Sequence, residues 1–257
     1  MSLATRYNQV FPVIIQSETT DEPITMVGKQ AGICYGTDTT NQDRNYKRGL
    51  DCIRSGHGKA MEFVQVYMII DGHSARLIRE FGRHTAGAPT YLQSSTRYID
   101  YNNFDYYTPP AVQKNSEALS IYNSTMYNIQ AAAQDLQKLG INKEDVANIL
   151  PLGMTTKIVY RTNLRALVEM AKVRKCTRAY HEYRQLFQEI EEALKIYSDE
   201  WWYLIEEEHI FKIKCEELGY CNESRSCGRT KSKEQFDKDL QLLDEVTTNT
   251  WKPQEGD

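Results

Sequence analysis

The sequence has no hydrophobic run that approaches the roughly 18–20 residues a membrane-spanning helix requires. Its N-terminal stretch also lacks the apolar core of a signal peptide. Lysine and arginine total 31 against 35 aspartate and glutamate, so the formal charge of −4 gives no overall attraction to nucleic acid or anionic lipid. We therefore expect a cytoplasmic protein that binds neither membranes nor nucleic acid, and any affinity for phosphate groups must be local.

Cysteine is also scarce, with six residues scattered over 257 positions. This pattern excludes a secreted fold built on disulfides. Cys215, Cys221 and Cys227 are evenly spaced, which raises the alternative of a structural metal clip, but zinc sites usually have closer Cys-x₂₋₄-Cys pairs and a fourth ligand. We expect reduced thiols and no metal.

The chain is long enough to bury a substantial core, and it contains no repeats and no linker between two halves. Residues 1–218 are predicted to form one domain. Residues 219–257 turn polar and charged, with one amphipathic piece near 236–246, and are predicted to form a peripheral or partly disordered tail that contains two cysteines.

Alternating and β-branched residues predict strands at 10–16 and 62–70, with Val64, Val66, Met68 and Ile70 on one face. Periodicity and capping residues predict helices at 74–83, 114–139, 142–150 and 163–175. The longest apolar stripe, over 180–204, predicts a single long C-terminal helix packed on the core, with a face suited to another subunit. Its members are Tyr180, Tyr183, Phe187, Ile190, Leu194, Tyr197, Trp201 and Leu204. We predict an α+β single domain, with a mostly antiparallel central sheet packed by several helices.

The segment 83–98 crowds two arginines, a histidine, a glutamine and several hydroxyls around a glycine and a proline. Such a polar segment does not suit an apolar core, because every buried polar group would need a hydrogen-bond partner. Backbone amides and guanidinium groups suit phosphate oxygens and planar ring edges. Arg79, Arg83 and Arg97 lie within nineteen residues, which favours an anion and nucleotide site over solvated surface charge.

The opening Arg83-His84 and the close Ser95-Thr96-Arg97 resemble the signature of the flavin-dependent thymidylate synthases, Arg-His-Arg followed by Ser-x-Arg. Two segments downstream, 150–165 and 174–179, and one upstream, 55–63, fall where that family has its other motifs. The chain departs from the pattern at Thr85, where the family has a third basic residue, and at Phe63, where it has a histidine. The loop is also two residues longer than usual.

The resemblance implies a role for fourteen positions. FAD would be held by Phe63, Arg83, His84, Thr85, Asn163, Arg165 and Arg178. The nucleotide dUMP would be held by Arg79, Glu80, Gln93, Ser95, Arg97, Lys157 and Arg174. Arg174 would stabilise charge on the pyrimidine, Arg97 would support it, and Ser95 would position or polarise the base.

The activity implied is reductive methylation of dUMP to dTMP without a cysteine nucleophile, with FAD as cofactor and methylenetetrahydrofolate and NADPH as co-substrates. The family also implies a homotetramer with sites shared between subunits. Two alternatives remain open from the residues. One is a flavin- and folate-dependent pyrimidine nucleotide hydroxymethylase on the same scaffold, and the other is a non-catalytic nucleotide- or RNA-binding protein that uses arginine and tyrosine pairs.

Overall fold

The computed structural model describes residues 12–85 and 87–250, with side chains as far as residue 243. Its strands are β1 (Val13–Ile15), β2 (Gln65–Ser74), β3 (Thr90–Gln93) and β4 (Thr155–Asn163). The helices before β4 are α1 (Pro23–Cys34), α2 (Gln42–Arg54), α3 (Gly58–Met61), α4 (Ala75–Phe81), α5 (Pro110–Gln113), α6 (Ser116–Lys138) and α7 (Lys143–Val146), which runs into a 3₁₀ turn at Ala147–Ile149. Those after it are α8 (Leu164–Arg174), α9 (His181–Tyr197), α10 (Asp199–Glu206), α11 (Lys214–Leu218) and α12 (Lys233–Thr250).

The four strands form one antiparallel sheet in the order β1-β2-β4-β3, which confirms the predicted α+β class and sheet type. The predicted inner face is confirmed, since Val64, Val66, Met68 and Ile70 are all fully buried. The first strand is shorter than the predicted 10–16, and Val10 and Phe11 lie outside the described residues. The second runs four residues further, to Ser74, through an irregularity between Ile70 and His73.

Helices α1 and α2 were not predicted, and they pack against each other through glycines. A Cβ on Gly28 would collide with the Asn45 carbonyl oxygen, and one on Gly49 with that of Ile24. Such a close crossing needs residues without side chains, and the two helices bury few large apolar residues: Ile24 and Val27 in α1, and Leu50 in α2.

The prediction of one unbroken helix over 180–204 is wrong, although its stripe is largely buried. The chain becomes extended at Ser198 (φ −154°, ψ 160°), and the Ser198 hydroxyl then accepts a hydrogen bond from the Trp201 backbone N–H as the N-cap of α10. Serine competes with the helix for backbone hydrogen bonds and favours such caps. The apolar stripe is therefore divided between two helices, α9 and α10, which both pack on the core.

Helix α6 matches its predicted bounds closely but buries little of its predicted stripe. Met126 and Ala133 are its only buried residues, and Met126 packs with Phe104 and Met154 in a small second cluster away from the main core. Most of α6 is exposed in the single chain.

Helix α11 ends at the predicted boundary. The C-terminal segment, which begins at residue 219, carries α12, and its Tyr220 packs on Phe236 with ring centroids 5.1 Å apart. The boundary at residue 218 stays a prediction. In the part of the chain that the structure covers, no helix is both long and apolar enough to cross a bilayer.

A buried polar network joins the end of β2 to the first turn of α9. Glu182 is completely buried and accepts hydrogen bonds from the Ser74 backbone N–H and the Ser74 hydroxyl, both at 2.6 Å. His73, 3% exposed, donates from Nε2 to Glu189 at 2.6 Å and places Nδ1 3.5 Å from Glu182. Burial opposes the charged imidazole, but the two glutamates outweigh it and raise the pKa of His73 to about 9.

This network makes stability depend on pH. Because the folded-state pKa of His73 lies above its ordinary value, its contribution is full below about pH 6.5 and is lost as the pH rises through about 9. We expect His73→Gln to lower the free energy of unfolding at pH 7 by on the order of 3 kcal/mol, and this loss to shrink at pH 10. Urea denaturation across pH 7–10 measures it, with exposed His57→Gln as control. A loss that stays constant with pH would contradict the charged pair.

Candidate functional site

Arg174, the last residue of α8, is at the centre of the site. Its Nε donates to His84 Nε2 at 2.7 Å, and its Nη1 lies 3.4 Å from Glu80 Oε2. Its Cζ stands 4.6 Å from the centroid of the Tyr183 ring. Among the described residues nothing accepts a hydrogen bond from Arg174 Nη2, and the side chain is 19% exposed. One edge of the guanidinium is therefore fixed and another is left for a ligand.

His84 is a neutral imidazole in this arrangement. Burial and the adjacent Arg174 guanidinium lower the pKa of His84 to about 4. Because Nε2 accepts the Arg174 hydrogen bond, the ring proton lies on Nδ1. At neutral pH His84 is thus an acceptor toward Arg174 and a donor on its other side.

The loop that follows His84 is tied to β4. Asn163 Nδ2 donates to the Gly87 carbonyl at 3.3 Å, and Arg161 Nη2 donates to the Ala88 carbonyl at 3.2 Å. Gly87 has a φ of +74°, and a Cβ there would lie 2.7 Å from Asn163 Nδ2, so only glycine fits. Asn163 also caps α8 by accepting from the Ala166 N–H at 2.9 Å.

A small cavity opens between this loop and the sheet, with a volume of about 120 Å³. His84, Thr85 and Pro89 line its loop side, and Phe81, Tyr91 and Tyr160 line its floor and wall. The mixture of rings and a few polar groups suits a flat heterocycle or an apolar ring edge.

Arg79 and Arg83 are both exposed and make no side-chain hydrogen bond or ion pair within the described part of the chain. Thr85, beside them, is exposed as well. Uncompensated guanidinium groups beside a loop of backbone amides are what a diphosphate requires.

Two further cations are held by glutamates. Arg165 Nη1 pairs with Glu62 at 2.7 Å, next to Phe63, whose ring is 54% exposed. Arg178 pairs with Glu223 at 2.6 Å, and both side chains are about half exposed. Glu223 belongs to the C-terminal segment, so that segment reaches the loop between α8 and α9.

The remaining predicted nucleotide contacts form separate groups. Gln93 donates to Thr156 at 3.4 Å, and Lys157 pairs with Asp71 at 2.7 Å. Arg97 pairs with Glu144 at 3.2 Å, while the Ser95 hydroxyl accepts from the Arg97 backbone N–H at 3.2 Å. Within the described residues none of the four side chains makes a hydrogen bond or ion pair with Arg174, His84 or Glu80.

Sequence reasoning missed three residues at the site. Tyr183 was included in the core stripe, and its place under Arg174 gave no separate signal. Glu62 lies in the 55–63 segment, but the resemblance assigns it no role, and no local pattern marks Glu223. Their partners lie 103 and 45 residues away. In the described ranges no group of three or more His, Cys, Asp or Glu is arranged to hold a metal ion.

The thymidylate synthase complementing protein family, Thy1, matches residues 16–197. The flavin-dependent thymidylate synthase of Nitratidesulfovibrio vulgaris is 31% identical over 194 residues, which cover 69% of this chain and 73% of that protein. The enzyme of the same name from Clostridium tetani is 29% identical over 201 residues, covering 69% and 80%. A Helicobacter pylori ThyX structure with FAD and dUMP has a similar fold, with a TM-score of 0.61 at 20% identity, over 78% of this chain and 99% of that one.

Asn163 both caps α8 and holds the loop, so its removal should cost more than loss of a cap alone. We expect Asn163→Ala to lower the free energy of unfolding by about 2 kcal/mol, of which about 1 is the cap and about 1 the Gly87 bond. Asn115→Ala, which removes only the α6 cap, should cost about 1 kcal/mol. Urea denaturation of both variants measures the difference, and equal losses would show that the Gly87 tether contributes nothing.

Proposed function

The chain belongs to the family of flavin-dependent thymidylate synthases, which are enzymes, and from this premise we propose that it converts dUMP to dTMP with FAD as its cofactor. The observation that carries the proposal is the Arg174 cluster. The guanidinium of Arg174 is held at one edge by His84, which also lines the ring-rich cavity, and its partners Glu80 and His84 directly follow the exposed Arg79 and Arg83 in the chain.

Arg174 can stabilise negative charge that develops on a pyrimidine ring, which makes the ring's 5-carbon nucleophilic without a covalent bond to the enzyme. Glu80 pairs with Arg174 and limits how far its guanidinium can move. Gln93, Ser95, Arg97 and Lys157 are proposed to hold the base and phosphate of dUMP. Arg79 is proposed to join them, since its charge has no ion-pair partner among the described residues.

The residues present fit FAD. Arg83 and Arg165 supply charge for the diphosphate, the exposed Phe63 ring can stack on a planar group, and His84 presents an Nδ1 donor. Asn163, Thr85 and Arg178 complete the proposed set. When bound and reduced, the flavin would supply the hydride that reduces the transferred carbon. We propose methylenetetrahydrofolate as the carbon donor and NADPH as the electron source.

We also propose a homotetramer, supported by an apolar row on the outer face of the sheet. Ile14, Ile69, Val159 and Leu92 lie side by side across all four strands. Ile14 and Val159 are each 41% exposed and Leu92 is 74% exposed. A contiguous exposed row of this kind marks an interaction surface, and the largely exposed α6 offers a second one.

The proposed place of action is the cytoplasm. All six cysteines are free thiols, which suits a reducing compartment.

The decisive assay supplies purified protein with FAD, NADPH, methylenetetrahydrofolate and dUMP and identifies the nucleotide product by mass spectrometry. We expect dTMP. Arg174→Ala should lower turnover by about 100-fold or more while FAD still binds, because it removes an electrostatic contact to the reacting ring. Arg184→Ala, on α9 outside the site, is the matched control.

Other products would point elsewhere. A hydroxymethylated nucleotide would favour the hydroxymethylase alternative, for which Thr85 and Phe63 are the distinguishing residues. Unchanged dUMP with no bound flavin would overturn the flavoenzyme proposal and favour a nucleotide-binding protein.

Glu223 allows a second test of the FAD proposal, because its carboxylate forms an ion pair with Arg178 and would compete with a cofactor phosphate. If Arg178 binds an FAD phosphate, Glu223→Gln should tighten FAD binding by up to about fivefold, since exposed pairs of this kind are worth about 0.2–1 kcal/mol. Flavin fluorescence titration measures it. Asp239→Asn breaks a similar exposed pair with Lys231 at 2.6 Å within the C-terminal segment and should leave FAD affinity unchanged. Weaker FAD binding by Glu223→Gln would contradict the competition.

A further inference from the structure

Two neighbours restrain Arg174. The family resemblance assigns one of them, His84, to FAD and gives the other, Tyr183, no role. We propose that His84 and Tyr183 are positioning residues for Arg174: His84 fixes the edge of the guanidinium, Tyr183 fixes its plane, and together they aim its free N–H groups at the nucleotide. The proposal rests on the function proposed above, in which Arg174 acts on dUMP.

The contact with His84 fixes the rotation of the guanidinium. A hydrogen bond of 2.7 Å from Arg174 Nε to His84 Nε2 requires an acceptor, so the imidazole must be neutral at this nitrogen. Burial and Arg174 itself keep it so, by lowering the pKa of His84 to about 4. The nitrogen that faces Arg174 is therefore used within the protein, and only Nδ1 is left for a bound molecule.

The contact with Tyr183 fixes the plane. The Tyr183 ring is completely buried, and the Arg174 Cζ stands 4.6 Å from its centroid, within the range of a cation–π interaction. Phe81 and His84 pack on the same ring, with centroids 5.7 and 5.8 Å away. The neighbouring residue Glu182 is bound to Ser74, so this part of α9 cannot shift independently of α4.

The Tyr183 hydroxyl takes no part in this restraint. It is buried, and among the described residues it has no hydrogen-bond partner. The aromatic ring is therefore the functional part of Tyr183, which makes phenylalanine and leucine informative replacements.

With Nε and one Nη1 proton engaged, Arg174 retains the protons on Nη2 and one on Nη1. A guanidinium oriented before the ligand arrives avoids the loss of side-chain entropy on binding, and it places charge where the ring becomes negative. Small displacements of such a group cost large factors in rate.

The first experiment compares His84→Ala with His84→Gln, whose Oε1 can take the place of the Nε2 acceptor. Calorimetry gives the dissociation constant for dUMP, fluorescence gives that for FAD, and dTMP formation gives kcat. We expect His84→Ala to weaken dUMP binding and to lower kcat by about 10-fold each, while FAD affinity falls by less, because only the Nδ1 donor to the cofactor is lost. His84→Gln should restore most of both. His209→Asn, at an exposed histidine with a φ of +48°, is the control.

The second experiment replaces the ring. Tyr183→Phe keeps the cation–π contact and should match the wild type in dUMP affinity and kcat, whereas Tyr183→Leu should resemble His84→Ala. If Tyr183→Leu fails to fold by circular dichroism, the Tyr183→Phe and His84 results still decide the matter. A tenfold loss in Tyr183→Phe would overturn the assignment of the role to the ring.

Two results would overturn the role of His84. A loss of FAD affinity in both His84 variants with unchanged dUMP binding and kcat would make His84 a flavin ligand with no role at Arg174, and equal damage by alanine and glutamine would exclude the acceptor role. A different result would overturn the function on which this proposal rests, namely that Arg174 acts on dUMP: Arg174→Ala would then match the wild type in dUMP affinity and turnover. If Arg174→Ala is inactive while both His84 variants are normal, only the positioning proposal fails.

Discussion

Glu182 accepts two hydrogen bonds from Ser74 and lies against His73, and in doing so it joins the end of β2 to the start of α9. A carboxylate with no exposed surface needs such partners, because burying an unpaired charge costs several kcal/mol. The partners it takes are the N-cap of α4 and the residue before it. The position of α4 on the sheet is therefore set by a residue of α9, and Glu80 and His84 are brought over Tyr183 as a result.

The site gathers positive charge in a chain whose net charge is negative, and it does so by pairing most of its cations. Arg174, Arg165 and Arg178 each have a glutamate partner, while Arg79 and Arg83 have none in the part of the chain that the structure describes. A paired arginine is held in place and still has free N–H groups, whereas an unpaired one contributes more to the local potential. The first kind suits recognition of a ring, and the second suits attraction of phosphates.

Local sequence patterns correctly predicted those features of the fold that depend only on residues close together in the chain. The inner face of β2, the Ser74 cap and the extent of α8 all follow from a period, a cap or a stop within ten residues. The break at Ser198 was missed because the apolar stripe continues in phase on both sides of it. Two other features were missed: the glycine crossing of α1 and α2, and the burial of only two residues in α6. Both depend on which distant residues pack against these helices, and local sequence patterns do not show that.

At the candidate site, too, membership could be predicted from sequence motifs, but contacts between distant residues could not. Motif resemblance proposed Arg174, His84 and Glu80 as members of one site, and the structure brings these three together. It did not indicate that His84 faces Arg174, because residues 90 apart in the chain meet only through the fold. Glu223 lies beyond the matched residues 16–197, where the resemblance gives no guidance.

The bond between Ser74 and Glu182 spans 108 residues, and this has a consequence for the order of folding. Ser74 is available early in synthesis, but its buried partner leaves the ribosome only after β4 and α8. Contacts of such long range pay their loop-closure entropy before they stabilise anything, so they form late. The loop after α4 should therefore stay open on the nascent chain, and a ligand present at that stage would meet arginines that have not yet been assembled into a site.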